Sequence, residues 1–168
     1  MAATPFEERL LADIVEAARA VGLEIVLVGN AAAALQGAPV ATRDVDFLVR
    51  AGAANRRKIE RLAERLGGLA VTRPGEPLSD MLRLVGGSVE IDFVFRLSSG
   101  ARFESVRSRA CTVRVGRTAV RVASLADIIA AKRAARRPKD LAALPVLEQT
   151  ARVLAAIGGK HRRPGGRR

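Results

Sequence analysis

The sequence predicts an α+β fold: a mixed β-sheet flanked by helices and followed by a short C-terminal helical segment. Short apolar runs of strand length alternate with stretches whose apolar residues recur at helical spacing. Two glycine breaks, Gly86-Gly87 and Gly116-Arg117, each separate a pair of strand-like runs, the pattern of a β-hairpin. A chain of 168 residues has room for one well-buried core. We expect a single domain over residues 1–157. Residues 158–168 carry no apolar residue beyond that point and are expected to form a disordered basic tail.

The elements follow in order. Thr4-Pro5-Phe6-Glu7 has the form of a capping box with proline at the first helical position. It opens a helix with Leu10, Leu11, Ile14, Val15 and Ala18 on one face, ending near Gly22. Glu24 to Val28 is an apolar strand stopped by Gly29. Asn30 can cap the alanine-rich helix that runs to Gly37. After the connector Ala38-Pro39-Val40-Ala41, Asp44 to Val49 is the next strand. Asn55 to Leu66 is a helix with Ile59, Leu62 and Leu66 inward. A loop around Arg73-Pro74-Gly75-Glu76-Pro77 precedes the hairpin of Met81–Val85 and Val89–Phe95, and a second hairpin spans Thr112–Val122. Ser124, with Asp127 three residues on, caps a helix to about Arg136. Beyond Pro138, Lys139 to about Ile157 is helical, with a possible kink site at Pro145.

Composition removes several chemistries. The single cysteine, Cys111, allows no intrachain disulfide and no cysteine-based zinc site. It lies in an alternating apolar segment and is expected to be a small core residue. The single histidine, His161, sits in the Gly/Arg-rich tail, so histidine triads and histidine-ligated metals are set aside. No continuous apolar run reaches membrane-spanning length and the N-terminus is acidic, which makes a cytoplasmic protein the expectation. Lys and Arg outnumber Asp and Glu by 29 to 17, a net charge of +12. A polyanionic partner such as RNA fits this excess, and so does an ordinary basic surface.

The chemistry is concentrated around Val28-Gly29-Asn30 and Thr42-Arg43-Asp44-Val45-Asp46-Phe47. Asp44 and Asp46 stand two apart on a strand and so point the same way. Two adjacent carboxylates repel unless a cation lies between them, an arrangement that suits Mg²⁺ shared with substrate phosphates. The glycine turn at a helix start offers backbone N–H groups to phosphate. Asp92 adds a third acid on a strand whose opposite face is apolar; alternatively it forms a structural ion pair with Arg83 across the hairpin.

Taken together, Gly29-Asn30, Gly37, Thr42, Asp44-Val45-Asp46 and Ile91-Asp92-Phe93 resemble the signature of the DNA polymerase β-like nucleotidyltransferase superfamily. Ser124 to Lys132, followed by Arg136-Arg137-Pro138-Lys139-Asp140-Leu141, resembles AbiEii-type and related bacterial nucleotidyltransferase-like proteins, several of them toxins of toxin–antitoxin systems. The resemblance implies the nucleotidyltransferase fold. It also implies that Asp44, Asp46 and Asp92 bind Mg²⁺ or Mn²⁺, with Asp92 activating the acceptor hydroxyl. Gly29, Asn30 and Thr42 would line the nucleotide site. Lys132 would meet the triphosphate, with Arg136 one turn beyond it on the same helix face. Asp140 would orient or balance Lys132, or cap the helix after Pro138. Asn30 departs from the pattern, which usually has Gly or Ser there.

Three functions are carried forward. The first is metal-dependent transfer of a nucleoside monophosphate from an NTP to a hydroxyl acceptor, RNA or tRNA, as a toxin with an antitoxin protein as partner. The second keeps the chemistry with an aminoglycoside-like small molecule as acceptor. The third is a non-catalytic relic that binds nucleotide or a partner.

Overall fold

The computed structural model describes residues 5–73, 81–88 and 90–160. Thr4 of the expected capping box, the loop at Pro74–Pro77, Val89, and the tail with His161 lie outside the described residues. The elements in chain order are α1 (Pro5–Ala20), β1 (Val26–Val28), α2 (Gly29–Leu35), β2 (Val45–Leu48), α3 (Ala53–Arg65), β3 (Ala70–Thr72), β4 (Met81–Val85), β5 (Ile91–Val94), α4 (Phe103–Arg109), β6 (Cys111–Val115), β7 (Thr118–Val122), α5 (Leu125–Ala135) and α6 (Pro138–Lys160). The strands form one seven-stranded mixed sheet in the order β3-β4-β5-β2-β1-β7-β6. The expected α+β class is what the chain adopts.

The centre of the sheet is built by β1, β2 and β5. β2 runs antiparallel to β1 and parallel to β5, with Asp46 opposite Val28 on one side and Asp92 on the other. One residue further on, Phe47 pairs with Phe93, so the two rings fall on the opposite face from the two aspartates. The rings stack with centroids 5.7 Å apart and both are fully buried, anchoring a core made mostly of Ile, Leu, Val and Ala. The same alternation that buries the aromatics therefore fixes the acids on the other face. α1 packs on α3, while α2 packs on α5 and α5 on α6.

Two elements were not expected from sequence. β3 has three residues, all exposed, and is held only by its pairing with β4. α4 buries just Phe103 and Val106, too few to show a helical period. Its other side chains are tied to distant segments: Glu104 to Arg50, Arg107 to Glu24 at 2.7 Å, and Arg109 to Asp127 at 2.6 Å. Arg50 also lies over the Phe103 ring, 4.5 Å from its centroid.

Other expectations need correcting. Cys111 is exposed on the edge strand β6, where its thiol faces the Gln36 side chain. Asn30 does not cap α2, because the helix begins at Gly29 with Val28 as its N-cap and no side-chain cap. α6 passes through Pro145 without a break and continues to Lys160, beyond the expected end at Ile157. Within Pro138–Gly158 an 18-residue window has mean hydropathy 1.3, so by length and composition the helix is long and apolar enough to cross a membrane. Continuous-run inspection misses this because Glu148, Gln149, Thr150 and Arg152 interrupt the apolar stretch. Leu147 is buried, whereas Leu141, Val153 and Leu154 are exposed.

Phe93→Ala is expected to lower unfolding free energy by about 3–5 kcal/mol, the cost of emptying a packed aromatic site. Chemical denaturation measures it.

Candidate active site

The C-terminal end of β1 meets the N-terminal ends of β2 and β5, and the acids gather there. Gly29 follows β1 directly and has φ +68°, a left-handed conformation that glycine adopts without a Cβ clash. A side chain is excluded for a second reason. A Cβ on Gly29 would stand 2.5 Å from Asp46 Oδ2. The glycine is thus the floor on which the Asp46 carboxylate rests.

The Asp46 carboxylate has neither a hydrogen bond nor an ion pair among the described residues. Burial, then the charges of Asp92 and Asp44, push its carboxyl up to about 6; Lys139 and Lys132 pull the other way. Asp44 lies just before β2 rather than within it, half-buried and without an ion-pair partner among the described residues. Its carbonyl accepts a 2.7 Å hydrogen bond from the Thr42 hydroxyl, so Thr42 shapes the turn that delivers Asp44. The Asn30 amide donates to the Ala41 carbonyl at 2.9 Å, tying the start of α2 to the same connector. Asn30 Oδ1 is buried with no partner among the described residues.

Asp92 is differently placed. Arg83 stands directly opposite it on β4, with Nε 2.6 Å from Oδ1 and Nη2 2.8 Å from Oδ2. The remaining nitrogen, Nη1, is 2.9 Å from Glu90. Of the two sequence readings of Asp92, the ion pair with Arg83 is present. Among the described residues no group of three or more His, Cys, Asp and Glu is arranged to hold a metal ion. The buried Asp92 carboxylate thus has a guanidinium nitrogen on each of its oxygens, whereas the Asp44 and Asp46 carboxylates have none among the described residues.

The basic side of the site comes from the α5–α6 junction. Ser124 accepts from the Asp127 backbone N–H at 3.1 Å, the expected cap of α5. Lys132, only 11% exposed, donates to Asp140 at 3.2 Å; Asp140 also takes Arg137 at 2.6 Å and is almost fully buried. Burial alone would raise the Asp140 carboxyl, yet the Arg137 and Lys132 hydrogen bonds hold it below the ordinary range. Arg136 stands one turn beyond Lys132, its backbone N–H donating to the Lys132 carbonyl at 3.0 Å, but it is the last residue of that turn and not part of the helix face. It caps α5 in the left-handed conformation, φ 53°, and is exposed. Gly37, with open space around it, is a turn residue after α2. Sequence reading missed Lys139, whose charge reaches Asp46; its only signal was its place beside Asp140.

Two outcomes follow. Gly29→Ala is expected to cost about 1–3 kcal/mol and to displace Asp46, read as a lowered denaturation midpoint. Asp46 keeps its proton to about pH 6 when folded but releases it near 3.8 when unfolded. Its stabilising contribution is therefore complete below pH 3.8 and lost as pH rises through 6, on the order of 3 kcal/mol in all. Asp46→Asn should remove that loss, so the stability gap between variant and parent widens from pH 4 to pH 7.5 in EDTA.

No family model and no curated protein matches the chain. Solved structures do. The solution structure of the antibiotic-resistance factor ANT(2'')-Ia is 18% identical with TM-score 0.63, the match covering 93% of each chain. Its crystal structure with adenylyl-2''-tobramycin is 17% identical with TM-score 0.61, covering 93% of this chain and 99% of that one. TM1012 of Thermotoga maritima, a proposed nucleotidyltransferase, is 16% identical with TM-score 0.54, covering 95% and 96%. Likeness at these identities is likeness of fold, and the fold of this chain is that of the nucleotidyltransferases.

Proposed function

We propose that the chain is a metal-dependent nucleotidyltransferase that moves a nucleoside monophosphate from an NTP to a hydroxyl of RNA, with tRNA as the first acceptor to test. The observation that carries this reading is the state of Asp46. The buried acids Asp92, Asp127 and Asp140 are all ion-paired, whereas Asp46 is crowded by two other carboxylates and has no cation of its own. A site that stores such repulsion fits a divalent cation.

In this reading Asp44 and Asp46 hold Mg²⁺ or Mn²⁺. The ion, when bound, neutralises phosphate charge and lowers the pKa of the attacking hydroxyl. The chain's own residues do the positioning that dominates phosphoryl-group chemistry. Gly29 gives bare backbone for close approach of the phosphates, and Thr42 with Asn30 fixes the connector that carries Asp44. Lys139 and the exposed Arg136 offer charge to the triphosphate. Lys132, held by Asp140, contributes a fixed positive charge from beneath.

The acceptor divides the remaining readings. The charges of Lys139 and Lys132 reach Asp46, and Arg43 and Arg136 are exposed, a basic balance that favours a polyanion over a polycation such as tobramycin. The small-molecule reading rests on the ANT(2'')-Ia complex with adenylyl-2''-tobramycin. A toxin role, an antitoxin partner and a cytoplasmic setting go with the RNA reading. The relic reading rests on Asn30, which commits one of its two amide N–H groups to Ala41 at a position where the family pattern has Gly or Ser.

Purified chain with labelled NTPs, Mg²⁺ and total RNA should place label on RNA. Asp44→Ala should lower that transfer by at least about 100-fold, the scale of losing one electrostatic contact at a reacting group. Label on an aminoglycoside instead would move the assignment to a small-molecule acceptor. Calorimetric binding of NTP with Mg²⁺ but no transfer to either would leave the relic.

A further inference from the structure

Arg83 occupies an unusual position for a surface-strand arginine. It projects from β4 into the acid cluster, and its three guanidinium nitrogens are all engaged by carboxylates, two of them on Asp92 and one on Glu90. Cross-strand register puts Arg83 opposite Asp92, and β5–β2 register puts Asp92 beside Asp46. The guanidinium is thus one residue-width from the Asp44–Asp46 pair, on the side where Asp92 would otherwise present its oxygens.

A fork of this geometry is hard to displace. Both oxygens of Asp92 accept charge-assisted bonds below 3 Å, and the Asp92 side chain is 7% exposed. A divalent ion on the two lone pairs that Arg83 uses would have to displace the fork, and one on the remaining two would sit against the guanidinium charge and be repelled by it. Breaking a buried pair by removing one partner is far more costly than replacing both.

We infer that Arg83 is a positioning residue that stands in for a second divalent ion at Asp92, so that the site takes a single divalent ion, on Asp44 and Asp46. This rests on the proposed metal-binding role of that pair. Asp92 then keeps a fixed positive charge beside the reacting phosphates without itself being a metal ligand.

The test counts ions rather than turnover. Mn²⁺ alone is titrated into the full chain and free Mn²⁺ is read by electron paramagnetic resonance. The parent should bind one ion, Arg83→Met two, and the double variant Arg83→Met/Asp92→Asn one again, since the second ion needs the Asp92 carboxylate. Circular dichroism checks that each variant is folded. Two ions on the parent overturn the inference whatever the variants do, while leaving the Asp44–Asp46 reading intact. A folded Arg83→Met that still binds one ion overturns it as well. No ion on the parent overturns both this inference and the metal-dependent function beneath it.

Discussion

The crowding of Asp46 is the constraint on which the site depends. Three features meet at that side chain: the bare Cα of Gly29 beneath it, Asp92 beside it in the sheet, and Asp44 two residues before it. None can be moved independently. Gly29 is fixed because β1 must turn at once into α2, and Asp92 is fixed because its neighbour Phe93 stacks on Phe47 in the core. The apolar face of the sheet thus sets the spacing of the charged face. Electrostatic strain of this kind is tolerated where a ligand relieves it.

The other acids near the site show how the chain treats a carboxylate that is structural. Asp127 is gripped by Arg109 and Ser124, and Asp140 by Lys132 and Arg137. The Arg109–Asp127 pair joins α4 to α5, and the Lys132–Asp140 pair joins α5 to α6. A chain with so many arginines could have neutralised Asp46 in the same way. Instead its cations stop short, with Lys139 and Lys132 acting on Asp46 through space.

Most of this was legible in the sequence where local chemistry decides the outcome. The Gly86-Gly87 and Gly116-Arg117 hairpins and the Ser124 cap need only turn preference and one side-chain hydrogen bond. What escaped is decided by tertiary contact. β3 exists because β4 offers it an edge, and α4 because ion pairs from β1's approach, β2's exit and α5 fasten its charged residues. Arg136 was misplaced because helical spacing says nothing of where a helix ends in a left-handed residue. Asn30 looked like a cap because its type suits one. Its partner instead is Ala41, eleven residues on, which no local rule identifies.

Arg83 shows why the count of acids alone misleads. Asp44, Asp46 and Asp92 spell a three-carboxylate site in one dimension, and the alternation of β5 does bring Asp92 alongside the others. Yet a carboxylate's usefulness to a metal depends on which of its lone pairs remain open. The strand that completes the hairpin decides this, since the residue opposite Asp92 is an arginine of the right length to form a fork. On the single-ion reading proposed above, the difference between a metal ligand and a structural anion lies on β4. Asp46, directly across from Val28 rather than from a base, has no such neighbour and keeps its charge available.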